Sequence, residues 1–237
     1  SEKTTVLHLA VPSNGAQHKP ALDFLRSCDM EVKRDNRRRY TAKIPALPGV
    51  TVHFQRAADI GLKVEEDSAD LGIMGLDQYV ETRREGGKTR VIVGSLGFGS
   101  SNLVLGIPDF WVDVTSVAHL ARLSAEFRDQ GAELLRVASK YPRLVERFLL
   151  KNGVNYFTNV VASGTLEAAP VMGYADIIAD ISSTGTTLRE NRLKTIHGGT
   201  IMNSEACLVG GRVFHNASEG DMDLASTLVE RVKAGIG

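Results

Sequence analysis

Residues 176–191 read Asp-Ile-Ile-Ala-Asp-Ile-Ser-Ser-Thr-Gly-Thr-Thr-Leu-Arg-Glu-Asn, and they constrain this chain more than any other stretch. The apolar run Ile177 to Ile181 reads as a buried strand with one acid, Asp180, near its end. It passes into a turn of small residues, Ser182 to Thr187, and then into a helix-forming segment. Such a turn leaves backbone N–H groups unpaired at the helix start. Ser and Thr hydroxyls add further donors, so the site suits a phosphate. Gly185 lets the backbone approach an anion with no Cβ in the way. No Gly-Lys-Ser/Thr follows, so the Walker pattern does not apply. Turns of this kind also serve as helix N-caps with no ligand. The acid upstream favours the ligand reading. A carboxylate repels phosphate and needs another partner, and a nearby sugar diol supplies one, because ionised Asp accepts from two hydroxyls. Phosphate plus ribose is the joint ligand that fits.

Further strands are expected at Val6–Val11, Tyr40–Ile44, Val50–Gln55, Leu71–Gly75, Val91–Ser95, Leu103–Ile107, Leu134–Ala138, Tyr156–Val161 and Ala206–Val209. Helices are expected at Pro20–Cys28, Arg56–Asp67, Ser116–Phe127, Pro142–Asn152 and Asp221–Ala234, with a helical turn at Leu166–Met172. Strands alternating with helices predict an α/β fold with mostly parallel sheets. Turn-rich clusters at Pro108–Asp113 and His197-Gly198-Gly199 mark two crossings between two lobes. The expected lobes are residues 1–107 plus about 200–237, and residues 108–199, around a cleft.

Composition bounds the function. The chain has 237 residues, 43% hydrophobic and 24% charged, with zero formal net charge. That balance argues against a nucleic-acid-coating surface. No apolar run approaches the ~18 residues of a membrane span. The start, Ser1-Glu2-Lys3-Thr4-Thr5, has no signal-peptide core, which predicts a cytoplasmic protein. Cys28 and Cys207 are isolated, as in a reduced compartment, and the six histidines show no metal-ligand spacing.

The run from Gly164 to Ala206 closely resembles ATP phosphoribosyltransferase, the enzyme that opens histidine biosynthesis. Support comes from Arg56-Ala57-Ala58-Asp59-Ile60, from Asp70 to Asp77, and from Arg136 to Pro142. The resemblance implies two α/β lobes like the type II periplasmic binding proteins. It implies a glycosyltransferase: N1 of ATP attacks C1 of phosphoribosyl pyrophosphate, and pyrophosphate leaves with the help of Mg2+ held mainly by substrate phosphates. No protein nucleophile is then required. The family's phosphoribosyl site maps onto Glu167, Asp180, Ser182, Ser183, Thr184, Gly185, Thr186 and Thr187. Its ATP side maps onto Arg39, Arg56, Asp70 and Gly72, and its pyrophosphate contacts onto Gly15, Lys140 and Tyr141. Arg37 and Arg38 read as solvated charge, and Asp176 as structural. The resemblance further implies a homodimer or higher oligomer and, for a short-form chain, a regulatory subunit similar to histidyl-tRNA synthetase. A nucleic acid or membrane partner is not expected.

Two loops depart from the family. After the first strand, Ala16 stands where an arginine is usual; later, Gly97 replaces an acid and Asn102 an arginine. Losing two charged contacts to phosphate costs about 1.5–3 kcal/mol each. Other cations compensate, or the chain is a weak or silent relative that binds nucleotides or regulates.

Overall fold

The computed structural model describes residues 5–131, 133–162 and 164–237; of the N-terminal stretch read above, residues 1–4 lie outside it. The chain divides into two units, one made of residues up to Ser100 with Glu205–Gly237, the other of Ser101–Ser204.

The first unit opens with β1 (Leu7–Pro12), α1 (His18–Ser27), β2 (Thr41–Lys43), β3 (Val50–Gln55), α2 (Ile60–Glu65), β4 (Leu71–Gly75), α3 (Leu76–Thr82) and β5 (Arg90–Val93). β1 pairs in parallel with β3 and β4, placing Leu9 opposite Val52 on one side and Leu71 on the other. The expected helix from Arg56 begins instead as a 3-10 turn, Ala57–Asp59, before α2. Helix α3 escaped the sequence reading because Gly75 reads as a stop. Yet Gly75 is extended and caps the next helix, which buries Tyr79.

The second unit holds β6 (Ser101–Pro108), α4 (Val117–Asp129), β7 (Leu135–Ser139), α5 (Pro142–Lys151), β8 (Phe157–Val161), α6 (Ala169–Met172), β9 (Ile177–Ser182), α7 (Thr186–Glu190), β10 (Leu193–Lys194) and β11 (Thr200–Ser204). The sheet order is β10-β6-β9-β7-β8, with β11 also on β6. Ser116 caps α4 by accepting from the His119 N–H at 3.2 Å, and Pro142 starts α5, where a missing N–H costs nothing. Val104, Ala138, Leu166, Ala169, Ile178 and Leu188 form a buried cluster that anchors both ends of the 182–187 turn.

β12 (Ala206–Gly210) and α8 (Glu219–Gly235) then complete the first unit, whose sheet order is β2-β3-β1-β4-β12-β5. The α/β class is as expected, but the sheets are mixed rather than mostly parallel. Among the described residues four strand pairings are parallel and six antiparallel. Parallel pairs need a crossover connection, whereas β2 and β3 are joined by the Pro48-Gly49 turn. β6 and β12, the first strands after each passage between units, enter antiparallel to their neighbours.

The expected crossing segments are turns within the second unit. Trp111 N–H donates to Pro108 O at 3.0 Å, and His197 N–H donates to Thr115 O at 2.9 Å. The unit ends fall at Ser100/Ser101 and Ser204/Glu205, because β6 and β11 pair with each other. Among the described residues, no helix is long and apolar enough to cross a membrane.

Candidate functional site

The site starts from the end of β9. Ile177, Ile178 and Ala179 are buried, Asp180 is half-buried, and the chain then turns through Ser182–Thr187 into α7. Gly185 has φ +75°, the left-handed region that a side chain disfavours. Its N–H donates to Ser182 Oγ at 2.9 Å. Thr184 Oγ1 accepts from Thr186 N–H at 3.4 Å and donates to Thr186 Oγ1 at 3.0 Å. Arg189, one turn along α7, reaches back to Thr184 O (Nη1, 3.4 Å) and Thr186 Oγ1 (Nη2, 3.2 Å). Among the described residues, the N–H groups of Ser183, Thr184 and Thr187 find no acceptor, which leaves them open to a ligand.

The eight residues assigned to phosphoribosyl binding come together around one pocket of about 110 Å³, closed by Ile181 and Leu188. A larger pocket of about 440 Å³ shares Ser182–Gly185 and adds Asn102, Arg189, Lys194 and Thr200. Charge is segregated between them. Two carboxylates, Glu167 and Asp180, line the smaller pocket; two cations, Arg189 and Lys194, line the larger. Burial pushes the Asp180 carboxyl above its ordinary value, and the Glu167 charge adds to the rise. The Ile181 N–H, which donates to Asp180 Oδ1 at 2.8 Å, and the Lys140 charge oppose it.

Lys140 is exposed just past β7, and Tyr141 leads into α5 with its N–H on Ser139 Oγ at 2.8 Å. Neither lines the two pockets, although Lys140 acts electrostatically on Asp180. Asp176 is structural, as read: its Oδ2 accepts from Arg136 N–H at 2.8 Å and its Oδ1 meets Arg136 Nη2 at 3.2 Å.

The other assigned residues lie in the first unit. Gly15, at φ +78°, turns the chain after β1, and Arg56 follows β3 directly. Pro12 lies opposite Gln55, so the two positions share the carboxyl edge of the parallel strands, where α/β sheets bind ligands. Arg56 Nε meets Asp59 at 3.0 Å in solvent, and exposed Arg39 lies 3.8 Å from Asp35. Asp70 and Gly72 are occupied differently. Asp70 Oδ2 accepts from His8 N–H at 2.7 Å while its own N–H donates to His8 O at 2.8 Å, lacing the amino ends of β1 and β4. A Cβ on Gly72 would lie 2.5 Å from Ile60 Cγ2, so glycine is there to let α2 pack. Geometry thus groups Gly15 with Arg56, while Asp70 and Gly72 each also hold elements of the first unit together.

The departing positions also find places. Ala16 is exposed beside Gly15. Gly97 has φ +82° with open space about it, the left-handed region that glycine adopts freely. Asn102 is exposed opposite Ser182 in the β6–β9 ladder, at the base of the turn. Sequence reasoning missed Arg189, whose only signal was its helical spacing from Thr186. It also missed Gln17 and Arg34, which carry the buried side-chain atoms without partners among the described residues, Oε1 and Nε. Arg34 lies over the Phe54 ring, 3.9 Å from its centroid, a contact only tertiary structure creates.

The family model for ATP phosphoribosyltransferase matches residues 56–234. ATP phosphoribosyltransferase 1, chloroplastic, of Arabidopsis thaliana is 36% identical over 230 residues, covering 96% of this chain and 55% of that protein. The chain thus spans just over half the length of that relative. ATP phosphoribosyltransferase of Mesorhizobium japonicum is 34% identical over 234 residues, covering 98% of this chain and 100% of its own. Among solved structures, the ATP phosphoribosyl transferase (HisG:HisZ) complex from Thermotoga maritima matches with a TM-score of 0.69 at 20% identity, covering 98% of both chains. A probable amino-acid ABC transporter extracellular-binding protein from Bacillus subtilis matches with a TM-score of 0.52 at 12% identity, covering 99% of this chain and 95% of that one, which relates the fold to solute-binding proteins.

Proposed function

The chain belongs to the ATP phosphoribosyltransferase family, and from that premise we propose that it transfers the phosphoribosyl group of phosphoribosyl pyrophosphate to N1 of ATP. The products are phosphoribosyl-ATP and pyrophosphate, and the reaction opens histidine biosynthesis. The observation that carries this reading is the single pocket lined by Glu167, Asp180 and Ser182–Thr187. The open N–H groups of Ser183, Thr184 and Thr187, with the hydroxyls of the turn, take the 5′-phosphate oxygens. Asp180 accepts from the ribose hydroxyls, which keeps its charge off the phosphate.

Held at both ends, the sugar presents C1 to the attacking nitrogen, and pyrophosphate departs from the opposite face with inversion. Positioning of the two reactants provides much of the acceleration. Positive charge develops on the sugar ring in the transition state, and the nearby carboxylates of Asp180 and Glu167 stabilise it. Among the described residues, no group of three or more His, Cys, Asp or Glu side chains could hold a metal ion. Hard oxygens of the substrate phosphates suit Mg2+, so this chain's residues fit a metal that arrives with the substrate. Bound that way, it spreads the charge of the leaving group. Arg39 and Arg56 serve the ATP side, and Gly15, Lys140 and Tyr141 the pyrophosphate. We assign the protein to the cytoplasm as at least a homodimer, with a histidyl-tRNA-synthetase-like subunit as its regulatory partner.

A second reading, a weak or silent relative, draws on Ala16, Asn102 and the left-handed backbone at Gly97. One experiment separates the two. Purified chain, magnesium, ATP and phosphoribosyl pyrophosphate are followed by the ultraviolet absorbance of phosphoribosyl-ATP, alone and with the regulatory subunit. Product in either arm supports transfer. No product in both arms, with phosphoribosyl pyrophosphate still bound in calorimetry, supports the silent relative. Gly185→Val should abolish that binding, because a β-branched side chain strains a backbone held at a φ of +75°. Unchanged affinity would sink the phosphate assignment.

A further inference from the structure

We infer that Arg189 is a positioning residue that fixes the Thr186 hydroxyl as a hydrogen-bond donor to the phosphoryl group. This rests on the phosphate assignment above and deepens it. A hydroxyl oxygen has one proton and two lone pairs. Thr186 Oγ1 accepts from Thr184 Oγ1 at 3.0 Å and from Arg189 Nη2 at 3.2 Å. Both lone pairs are then engaged, and only the proton is left to offer. Thr184 is itself set in this sense, because it accepts from Thr186 N–H at 3.4 Å and so directs its own proton to Thr186. Thr186 is exposed and lines the pocket, so its proton turns toward whatever the pocket holds.

The chemistry this selects is an oxygen that only accepts. A phosphate dianion meets that condition on every terminal oxygen; an alcohol or an amide N–H does not. Arg189 is placed for the task by helical geometry, since residues three apart share a face of α7. Its second contact, Nη1 to Thr184 O at 3.4 Å, holds the guanidinium across the turn. Position 185 lacks a side chain because its φ is +75°, in the left-handed region that favours glycine. A single lysine amine cannot make both contacts in the same plane.

The test uses the full chain and ribose 5-phosphate in calorimetry. Arg189→Met and Thr186→Val should each weaken binding about tenfold, the loss of one charge-assisted hydrogen bond. The double variant should be no worse than either single one, because each residue acts through the other. Thr186→Ser should retain wild-type affinity, and Arg189→Lys should not. In the wild type, affinity should climb as pH passes the second phosphate ionisation near ~6, and both single variants should lose the same part of that climb. Both residues are exposed, so melting temperatures check that all variants fold. Losses that multiply to about a hundredfold in the double variant would overturn the inference, as would wild-type affinity in Arg189→Met. A wild-type chain that fails to bind ribose 5-phosphate at all would instead overturn the phosphate assignment itself.

Discussion

Asp180 carries two opposed demands. Both its oxygens accept from sugar hydroxyls only when it is charged, yet its half-buried position raises its carboxyl above the ordinary value. The folded chain therefore holds the Asp180 proton at pH values where the unfolded chain has released it. Stability from this group is present below the ordinary carboxylate range and falls as pH rises through the higher folded value. Asp180→Asn removes that dependence and can still accept from the Ile181 N–H. We predict a higher melting temperature than wild type at pH 7, a gap that closes in acid, and an affinity for phosphoribosyl pyrophosphate reduced at least about tenfold. Melting curves across pH check the first part, and a lower melting temperature at pH 7 would refute it. At this scale much was legible. Asp180 and the 182–187 turn are contiguous in sequence, so local chemistry displayed them together. Arg189 was not, because its contacts depend on which way a long side chain folds back.

Secondary-structure elements were legible where their periodicity was long, as in α4, α5 and α8, and obscure where they were short. β10 and β11 have two and five residues, too few to show a period. β4 shows how packing alters the meaning of a residue. Gly72 was read as a nucleotide contact from resemblance, and in the structure it is also the place where Ile60 and Val64 of α2 press onto the sheet. Gly72→Ala should therefore destabilise the protein by about 1–3 kcal/mol through overpacking. ATP affinity of the folded variant should match wild type. Chemical denaturation and calorimetry give the two readouts, and a stable variant with lost ATP binding would return Gly72 to the nucleotide site.

At the scale of the whole molecule, residues 101–204 are one uninterrupted piece of chain. They have their own sheet and buried cluster, and their first and last residues, Ser101 and Ser204, are paired across β6 and β11. A unit whose ends meet can be cut out with little loss of backbone pairing. We predict that the fragment 101–204 folds alone, melts cooperatively by circular dichroism and binds ribose 5-phosphate. A fragment without a cooperative transition would show that the unit depends on the remainder of the chain. Sequence by itself determined the α/β class, the strand–turn–helix unit at 177–190 and the family, because each is written in neighbouring residues or in a long matching run. Tertiary structure alone decided that Arg189 closes on the turn and that the sheets are mixed. Strand direction and side-chain encounters across a sheet depend on where the chain re-enters each unit, and short-range periodicity carries no record of that.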